Sequence, residues 1–216
     1  MKLIAINGSP RKHGNTGTLL KKAFDGSQEA GAETELINLY DLNYKGCTSC
    51  FECKLKNSKI AGGVCAMRDD LTPVLERVLS CHAIILGSPI YMGNVTGEMR
   101  SFMERLIFPS DTYNKDKPLA FVGKVSSGFI YTMNKSKSEA ELKNYPMLFK
   151  LNQKDLEKLN GSSEFYTACD TYQFSDYSKY DVSKFNEVHK TKVKETQFPQ
   201  DCKIAFEMGY RLASIS

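Results

Sequence analysis

The first twenty residues, MKLIAINGSPRKHGNTGTLL, constrain the fold of this 216-residue chain more than any other stretch. An apolar run at residues 3–6 has the length and composition of a strand that is buried on both faces of a parallel sheet. The run breaks at residues 7–10, and a helical pattern follows with the apolar stripe Leu19, Leu20, Ala23 and Phe24. This order predicts an anion site, because loop N–H groups and the positive end of the helix dipole converge there.

The loop between this strand and this helix carries the groups that a phosphate needs. Hydrogen-bond donors and positive charge come from Ser9, Arg11, Lys12, Asn15, Thr16 and Thr18. A Walker A loop does not fit, because five residues separate Gly8 from Gly14 and no lysine follows. The G-x-G-x-x-G spacing of dinucleotide-binding loops is also missing. A plain polar turn, in which Asn15 or Thr16 caps the helix, is the alternative interpretation.

Composition and charge narrow the class of protein. A chain with 41% hydrophobic and 25% charged residues has ordinary globular composition, and its length suits one domain. The net charge of +4 includes no block of like charges, which favours anionic small molecules over nucleic acid as partners. The sequence has no long apolar run and begins directly with a strand pattern. We therefore expect no membrane span, no signal peptide and a cytoplasmic location.

Five strand patterns alternate with helical patterns along the chain. The strands are predicted at residues 3–6, 33–39, 83–86, 127–132 and 165–169, with the second near the sheet edge. The helices after the first are predicted at residues 71–79, 97–108, 139–150, 153–159 and 201–213. Asp69 or Asp70 is expected to cap the second helix, and Pro199 to stop the element before the last helix. The alternation predicts a doubly wound α/β domain with a five-stranded parallel sheet and helices on both faces.

Ligands bind such sheets at the carboxyl ends of the strands. Four of the predicted strands are followed there by residues that suit a ligand, at 9–18, 88–94, 132–134 and 170–174. The loop after the third strand reads SPIYMGNVTG and combines an aromatic ring, a thioether, a glycine and an amide. A flat heteroaromatic ring needs such apolar faces, with backbone N–H groups at its rim. Tyr91 alone would be an ordinary surface aromatic, but the whole segment beside a phosphate loop predicts a ring pocket.

Two motifs in this order resemble a known family. GSPRKHGNT at residues 8–16, followed by SPIYMGNVTGE at residues 88–98, is similar to the NADPH-dependent FMN reductase family of flavodoxin-like proteins. The resemblance implies that the FMN phosphate is bound by Ser9, Arg11, Asn15 and Thr16. It implies that the isoalloxazine ring is lined by Pro89, Ile90, Tyr91, Met92, Gly93 and Asn94. It places Thr132, Met133 and Asn134 on the other side of the ring.

The resemblance also implies a reaction. NAD(P)H would be the electron donor, and the acceptor a quinone, a nitro compound, another flavin or an iron–sulfur centre. Because the cofactor carries this chemistry, we predict no catalytic residue.

Four cysteines lie in a segment without apolar periodicity, at about residues 43–70, which is predicted to be an inserted loop. Their spacing is Cys47-x2-Cys50-x2-Cys53-x11-Cys65, and the resemblance to the iron–sulfur flavoprotein branch of the family implies that they bind a 4Fe–4S cluster. The last gap is longer than in those flavoproteins. A zinc site, a redox dithiol pair and a metal-free segment of reduced cysteines therefore remain open. The other cysteines are expected to be core thiols: Cys81, Cys169 and Cys202.

Three functions are compatible with these patterns. The first is an FMN-dependent NAD(P)H oxidoreductase. The second is an electron carrier of the flavodoxin or iron–sulfur type without nicotinamide turnover, and the third is a cysteine-loop redox sensor or interaction module with a structural flavin. Flavodoxin-like carriers tend to be strongly acidic, so the net charge of +4 favours the enzyme. The resemblance further implies a homodimer or homotetramer, with contacts expected at residues 109–117 and in the cysteine-rich loop.

Overall fold

The computed structural model of the protein describes residues 1–56, 60 and 62–214. Residues 57–59 and 61, which fall within the predicted cysteine-rich insertion, and residues 215–216 lie outside the described residues. The described part of the chain contains one five-stranded parallel sheet in the order β2-β1-β3-β4-β5. Its strands are β1 Lys2–Asn7, β2 Glu33–Asn38, β3 Ala83–Pro89, β4 Val125–Thr132 and β5 Asn160–Ala168. The doubly wound sheet is therefore confirmed, with the second strand at its edge.

Helices connect the strands and cover both faces of the sheet. They are α1 Asn15–Glu29, α2 Thr72–Ser80, α3 Gly97–Ile107, α4 Lys137–Leu142, α5 Tyr145–Leu156 and α6 Glu187–Ser214. Short 3₁₀ turns lie at Leu39–Asp41, Glu52–Lys54, Phe108–Ser110, Glu157–Leu159 and Tyr177–Lys179. None of the described helices has the length and hydropathy to cross a membrane.

The alternation of side chains along β1 divides the core into two layers. Leu3 and Ala5 pack in one cluster with residues of α1 and α6. Ile4 and Ile6 pack in the other cluster with residues of α2, α3 and α5. All four side chains are fully buried, as expected for a central strand of a parallel sheet that is covered on both faces.

Helices α1 and α6 approach each other closely because small residues line their contact. A Cβ atom on Gly209 would lie 1.8 Å from the carbonyl oxygen of Ala23. The hydroxyl of Ser27 donates to the carbonyls of both residues, at 2.8 Å to Ala23 and 3.2 Å to Gly209. Tight packing of α6 on α1 therefore fixes the last helix beside the first strand–loop–helix unit.

The predicted start of the last helix was wrong. Helix α6 begins at Glu187 rather than near residue 201, and Pro199 lies inside it instead of ending an earlier element. Proline cannot donate a backbone hydrogen bond within the helix, and tertiary contacts on both sides of it compensate for the stability lost. Lys190 bonds to Asp170 in the first turn, and Asp201 accepts a 2.8 Å hydrogen bond from Tyr166.

Two other predicted boundaries and one predicted helix cap were also wrong. The pair of helices after β4 divides at Asn144, which adopts a left-handed conformation with φ of 57°, and not between residues 150 and 153. Strand β5 starts at Asn160 because its polar first residues pair with β4. The residue that caps α2 is Leu71, which makes no side-chain hydrogen bond, and not the predicted Asp69 or Asp70. One oxygen of the Asp69 side chain bonds to Arg105, and the other accepts from the N–H of Leu71.

Candidate functional site

The loop after β1 forms an open positive end at the start of α1. Gly14 is the residue before the helix and provides no side-chain cap, and the first turn contains no acidic residue. The alternative of a turn capped by Asn15 or Thr16 is therefore wrong. Gly17 is required here, because a Cβ atom on it would lie 1.9 Å from the carbonyl oxygen of Lys12. Uncapped N–H groups at a helix start attract an anion.

Hydrogen bonds within this loop hold its donors in place. The side chain of Asn7 accepts from the N–H of Ser9 at 3.0 Å, and the hydroxyl of Ser9 accepts from the N–H of Arg11 at 3.2 Å. The buried hydroxyls of Thr16 and Thr132 lie 2.8 Å apart, which joins the first turn of α1 to the end of β4. The loop is thus shaped before any ligand binds.

A cavity of about 150 Å³ lies at the carboxyl edge of the sheet, where the loops after β1, β3, β4 and β5 meet. Its lining residues are Ser9, Arg11, Gly14, Asn15, Thr16, Pro89, Ile90, Tyr91, Thr132, Met133, Asn134, Thr171 and Gln173. Most of the residues that the sequence predicts for an FMN site therefore lie around one cavity. Met92, Gly93 and Asn94 are the exceptions.

The loop after β3 makes a tight turn at the mouth of this cavity. Tyr91 and Asn94 exchange two backbone hydrogen bonds, at 2.8 and 3.0 Å. Met92 and Gly93 between them both have positive φ, 50° and 85°, and the Met92 side chain is fully exposed. The hydroxyl of Thr96 donates to the carbonyl of Gly8 at 2.7 Å and ties this loop to the phosphate-type loop. Asn94 lines neither this cavity nor the next, and its contacts shape the turn.

A second cavity, of about 640 Å³, continues from the first. The two cavities share Ile90, Met133 and Asn134. The second adds Met92, Gly93, Lys135, Lys143, Tyr145 and Phe185. Apolar and aromatic groups beside a polar cavity suit a ligand with a flat ring at one end and an anion at the other.

One buried polar atom points to a missing partner in this region. Nδ2 of Asn134 donates to Gln173 at 2.7 Å, but Oδ1 of Asn134 has no hydrogen-bond partner among the described residues. A buried acceptor without a partner is costly, so a ligand that donates a hydrogen bond would stabilise it. The first cavity thus fits a bound group with both acceptor and donor atoms.

The loop after β5 contributes residues that the candidate list from the sequence does not contain. The backbone carbonyl of Gln173 accepts from Arg11 at 2.7 Å, and that of Tyr172 accepts from Asn15 at 2.8 Å. Thr171 donates to the carbonyl of Met133 at 3.1 Å. The position of this loop at the end of a predicted strand was the only signal for these contacts.

Asp170 anchors that loop to the start of α6. Burial alone would raise the pKa of the Asp170 carboxyl, but hydrogen bonds from Lys190 and His189 lower it below the ordinary 3.8. Lys190 is buried and also donates to the carbonyl of Asn134 at 2.5 Å. The charged pair therefore holds the loops after β4 and β5 together beside the cavity.

The four predicted cysteine ligands occupy different environments. Cys65 is buried, Cys47 and Cys53 are half-buried and Cys50 is exposed. Burial raises the pKa of Cys53, and the nearby thiols of Cys65 and Cys50 raise it further. Across residues 1–56, 60 and 62–214, no three cysteine, histidine or acidic side chains are arranged to bind a metal. The described geometry does not assemble the four-thiolate site.

The buried Arg105 closes the base of the cysteine-rich segment. Its guanidinium donates to the carbonyl of Lys45 at 3.2 Å, to the carbonyl of Met67 at 3.3 Å, and to Asp69. Burial alone would lower the pKa of Arg105, but its hydrogen bonds raise it. Arg105 therefore joins the two ends of the loop that carries Cys47 and Cys65.

The sheet order and the cavity at its carboxyl edge define the class of flavodoxin-like α/β proteins. The profile of the NADPH-dependent FMN reductase family matches residues 1–138, and this chain belongs to that family. The resemblance that the two sequence motifs show is thereby confirmed.

Curated relatives match about half of the chain. An iron–sulfur flavoprotein of Methanocaldococcus jannaschii is 39% identical over 105 residues, which are 49% of this chain and 51% of the relative. One from Archaeoglobus fulgidus is 42% identical over 105 residues, 49% of this chain and 48% of the relative. The chain thus spans about half the length of the curated relatives it matches.

Solved structures match the whole described fold. An NAD(P)H:quinone oxidoreductase from Methanothermobacter marburgensis superimposes with a TM-score of 0.71 at 14% identity, covering 100% of this chain and 98% of that chain. An FMN-dependent NADH-azoreductase from Bacillus anthracis, solved in complex with FMN, gives a TM-score of 0.65 at 14% identity with 99% of both chains covered. At these identities the likeness shows the fold alone.

Proposed function

We propose that this protein is a single FMN-binding domain that catalyses oxidation of NAD(P)H and passes the electrons to a small-molecule or protein acceptor. The observation that carries the proposal is the cavity at the carboxyl edge of the sheet, where the phosphate-type loop and the ring-type loop meet. Family membership supports the same cofactor.

Four residues of the first loop are proposed to bind the phosphate of FMN. Arg11 supplies charge, and Ser9, Asn15 and Thr16 supply polar side chains next to the uncapped start of α1. The helix N–H groups and the guanidinium would together offset the phosphate charge.

The loops after β3 and β4 are proposed to bind the flavin ring. Met133, Pro89, Ile90 and Tyr91 provide the surface against the ring, and Met92 and Gly93 provide the backbone N–H groups. Asn94 shapes the turn through its two backbone hydrogen bonds with Tyr91. Oδ1 of Asn134 offers an acceptor, and Thr132 holds Thr16 in place. FMN held by these residues would supply the redox chemistry, taking two electrons as hydride from a nicotinamide and passing both on, together or one at a time, so the residues need only bind and orient it.

The iron–sulfur cluster stays a prediction. In their described positions Cys47, Cys50, Cys53 and Cys65 do not fit the cluster, so no step of the proposed reaction passes through them. Iron and acid-labile sulfide analysis of protein purified without air tests the prediction directly. About four irons per chain would support it, and their absence would leave a segment of reduced thiols.

We further propose that the protein forms a homodimer or homotetramer through the predicted segments. Apolar side chains there are exposed: Phe51 by 48%, Leu55 by 56% and Tyr113 by 75%. Exposed apolar groups of this size are typical of contact surfaces. Light scattering during gel filtration would give the mass, and a monomer at micromolar concentration would contradict the proposal.

FMN binding to Thr16 variants tests the cofactor site. Thr16→Val removes a buried hydroxyl that lines the cavity, and we expect the FMN dissociation constant to rise about tenfold, the effect of one lost hydrogen bond. Thr18→Val is the matched control, because Thr18 lies two residues further along the same helix and does not line the cavity. Equal affinities in wild type and Thr16→Val would contradict the proposed site.

Steady-state oxidation of NADH and NADPH tests the activity. A quinone, a nitro compound and free FMN serve as acceptors. Turnover with at least one acceptor is the expected result. A protein that retains FMN but oxidises neither nucleotide would instead be an electron carrier.

A further inference from the structure

The loop after β5 runs across the loop that is proposed to bind the FMN phosphate. Nη1 of Arg11 donates to the backbone carbonyl of Gln173 at 2.7 Å, and Nδ2 of Asn15 donates to that of Tyr172 at 2.8 Å. Gln173 also lines the first cavity, together with Arg11 and Asn15. Residues 170–180, which we call the strap, therefore cover the phosphate end of the proposed site, and they lie beyond the end of the family match.

Aromatic side chains give the strap its shape. Tyr177 is buried, and its ring centroid lies 4.9 Å from that of Tyr172 and 5.2 Å from that of Phe174. Phe174 in turn stacks on Tyr180, with centroids 4.2 Å apart. The hydroxyl of Tyr177 accepts from the N–H of Gln173 at 3.1 Å. Tyr177 therefore contacts both residues whose carbonyls bond to the first loop.

The strap is anchored to the sheet at one end. Thr171 donates both its N–H and its hydroxyl to the carbonyl of Met133, at 3.0 and 3.1 Å. In the middle of the strap, the Tyr172 hydroxyl donates to Glu187 on α6 at 3.4 Å, in an exposed contact. Residues 178–180 at the other end are exposed. Because the far end of the strap reaches solvent, opening of the strap leaves the sheet intact, and the bonds from the first loop hold it closed.

The two side chains that bond to the strap can bond to a phosphate at the same time. A guanidinium has five N–H donors and a side-chain amide has two, so one bond to the strap leaves Arg11 and Asn15 with further N–H groups for phosphate oxygens. Such charge-assisted bonds are strong and fix the side chains that make them. Side chains that a phosphate fixes also hold the strap, and a closed strap holds these side chains for the phosphate. Binding and closure therefore favour each other.

We propose that the strap closes over the phosphate of FMN, that Arg11 and Asn15 bond to both at once, and that the closed strap keeps FMN as a resident group that exchanges slowly. The inference rests on the proposed function, since it concerns the cofactor of that same site. Tyr177 acts through the strap, so it is a positioning residue. Riboflavin has the same ring but no phosphate, and it therefore does not stabilise the closed strap.

Exchange kinetics of FMN in Tyr177 variants test the proposal. Tyr177→Phe removes the acceptor for the N–H of Gln173 and retains the ring, while Tyr177→Leu removes both. Tyr210→Phe, at a half-exposed position on α6, is the matched control. In Tyr177→Phe we expect the dissociation rate constant of FMN, followed by flavin fluorescence, to rise about tenfold, the effect of one lost hydrogen bond. Circular dichroism identifies any variant that fails to fold, and Tyr177→Phe makes the smaller change.

The association rate constant distinguishes a strap from an ordinary contact. A strap that covers the site slows entry as well as release, so both rate constants should rise in the Tyr177 variants and neither should change in Tyr210→Phe. An unchanged dissociation rate constant in Tyr177→Phe would overturn the proposal. A rise in the dissociation rate constant alone would also overturn it, because the loop would then be part of an open site.

Hydrogen exchange separates this inference from the proposed function. Backbone amides of residues 170–180 are followed in the protein alone and with FMN, riboflavin or inorganic phosphate. We expect FMN to slow their exchange at least tenfold, and riboflavin to slow it much less. Equal exchange with FMN and riboflavin, both bound, would overturn the strap and leave FMN binding intact. If the protein binds no flavin, slower exchange in phosphate would support the strap and contradict the proposed function, and unchanged exchange in phosphate would overturn both.

Discussion

Replacement of Arg105 by methionine should destabilise the protein strongly and specifically. The guanidinium is fully buried and bonds to Asp69 and to the carbonyls of Lys45 and Met67, so Arg105→Met breaks three connections at the base of the cysteine-rich loop. Loss of one member of a buried ion pair costs about 3 to 5 kcal/mol. Asp69 retains partial exposure, with 18% of its side chain accessible, which places our estimate at about 3 kcal/mol.

Urea unfolding at fixed FMN concentration measures this loss. Arg100→Met is the matched control on the same helix, because Arg100 is exposed and makes only an exposed pair with Glu104, worth about 0.5 kcal/mol or less. Adding Asp69→Asn to Arg105→Met should cost less than the sum of the single changes, since the two groups interact. A loss below about 1 kcal/mol in Arg105→Met would refute the reasoning, because the buried pair would then contribute no more than a surface pair.

Three further predictions follow from single positions. Gly17→Ala should abolish FMN retention during gel filtration, because the Cβ atom would collide with the carbonyl of Lys12; retention of FMN would contradict the loop geometry. Asp170→Asn should lower the free energy of unfolding by about 2 kcal/mol at pH 7, because Lys190 and His189 lose their charged hydrogen-bond acceptor. The folded pKa of Asp170 lies below the ordinary 3.8, so this contribution is fully present above pH 3.8 and is lost as the pH falls from 3.8 through the folded pKa. The difference in thermal unfolding between variant and wild type should therefore shrink below pH 3.8 and disappear once the pH lies below the folded pKa. Cys81 should resist iodoacetamide at pH 8 in the folded protein, because burial raises its pKa to about 12, and labelling before unfolding would contradict its burial.

The sheet could be predicted from sequence because its central strands are short apolar runs with little ambiguity. Residues 3–6 and residues 83–86 are uninterrupted apolar runs, which is the pattern of strands that are buried on both faces of a sheet, and each run is followed by a polar loop. The rules for parallel crossovers narrow the possible strand orders, and the observed order β2-β1-β3-β4-β5 obeys them. Local pattern and tertiary structure agree in these elements.

The errors occur where tertiary contacts override local pattern. Pro199 normally ends a helix, but packing on α1 and the Lys190 bond to Asp170 hold α6 together on both sides of it. The polar start of β5 at Asn160 has little strand propensity of its own and is ordered by its pairing with β4.

The candidate site could be predicted as far as its residues lie in recognisable motifs. The phosphate-type and ring-type loops lie around one cavity, as their positions after β1 and β3 require. Thr171 and Gln173 belong to no motif, and only the fold brings them to Arg11 and Met133. The spacing of the four cysteines does not by itself determine whether their thiols meet at one metal site, because that geometry depends on the path of the intervening loop.

The most direct test of the account is anaerobic titration of the purified protein with FMN, followed by NADPH, with the visible absorption spectrum recorded throughout. We predict saturable binding of one FMN per chain and a two-banded flavin spectrum that bleaches when NADPH is added. A colourless protein that takes up no FMN would contradict the proposed site and the function derived from it.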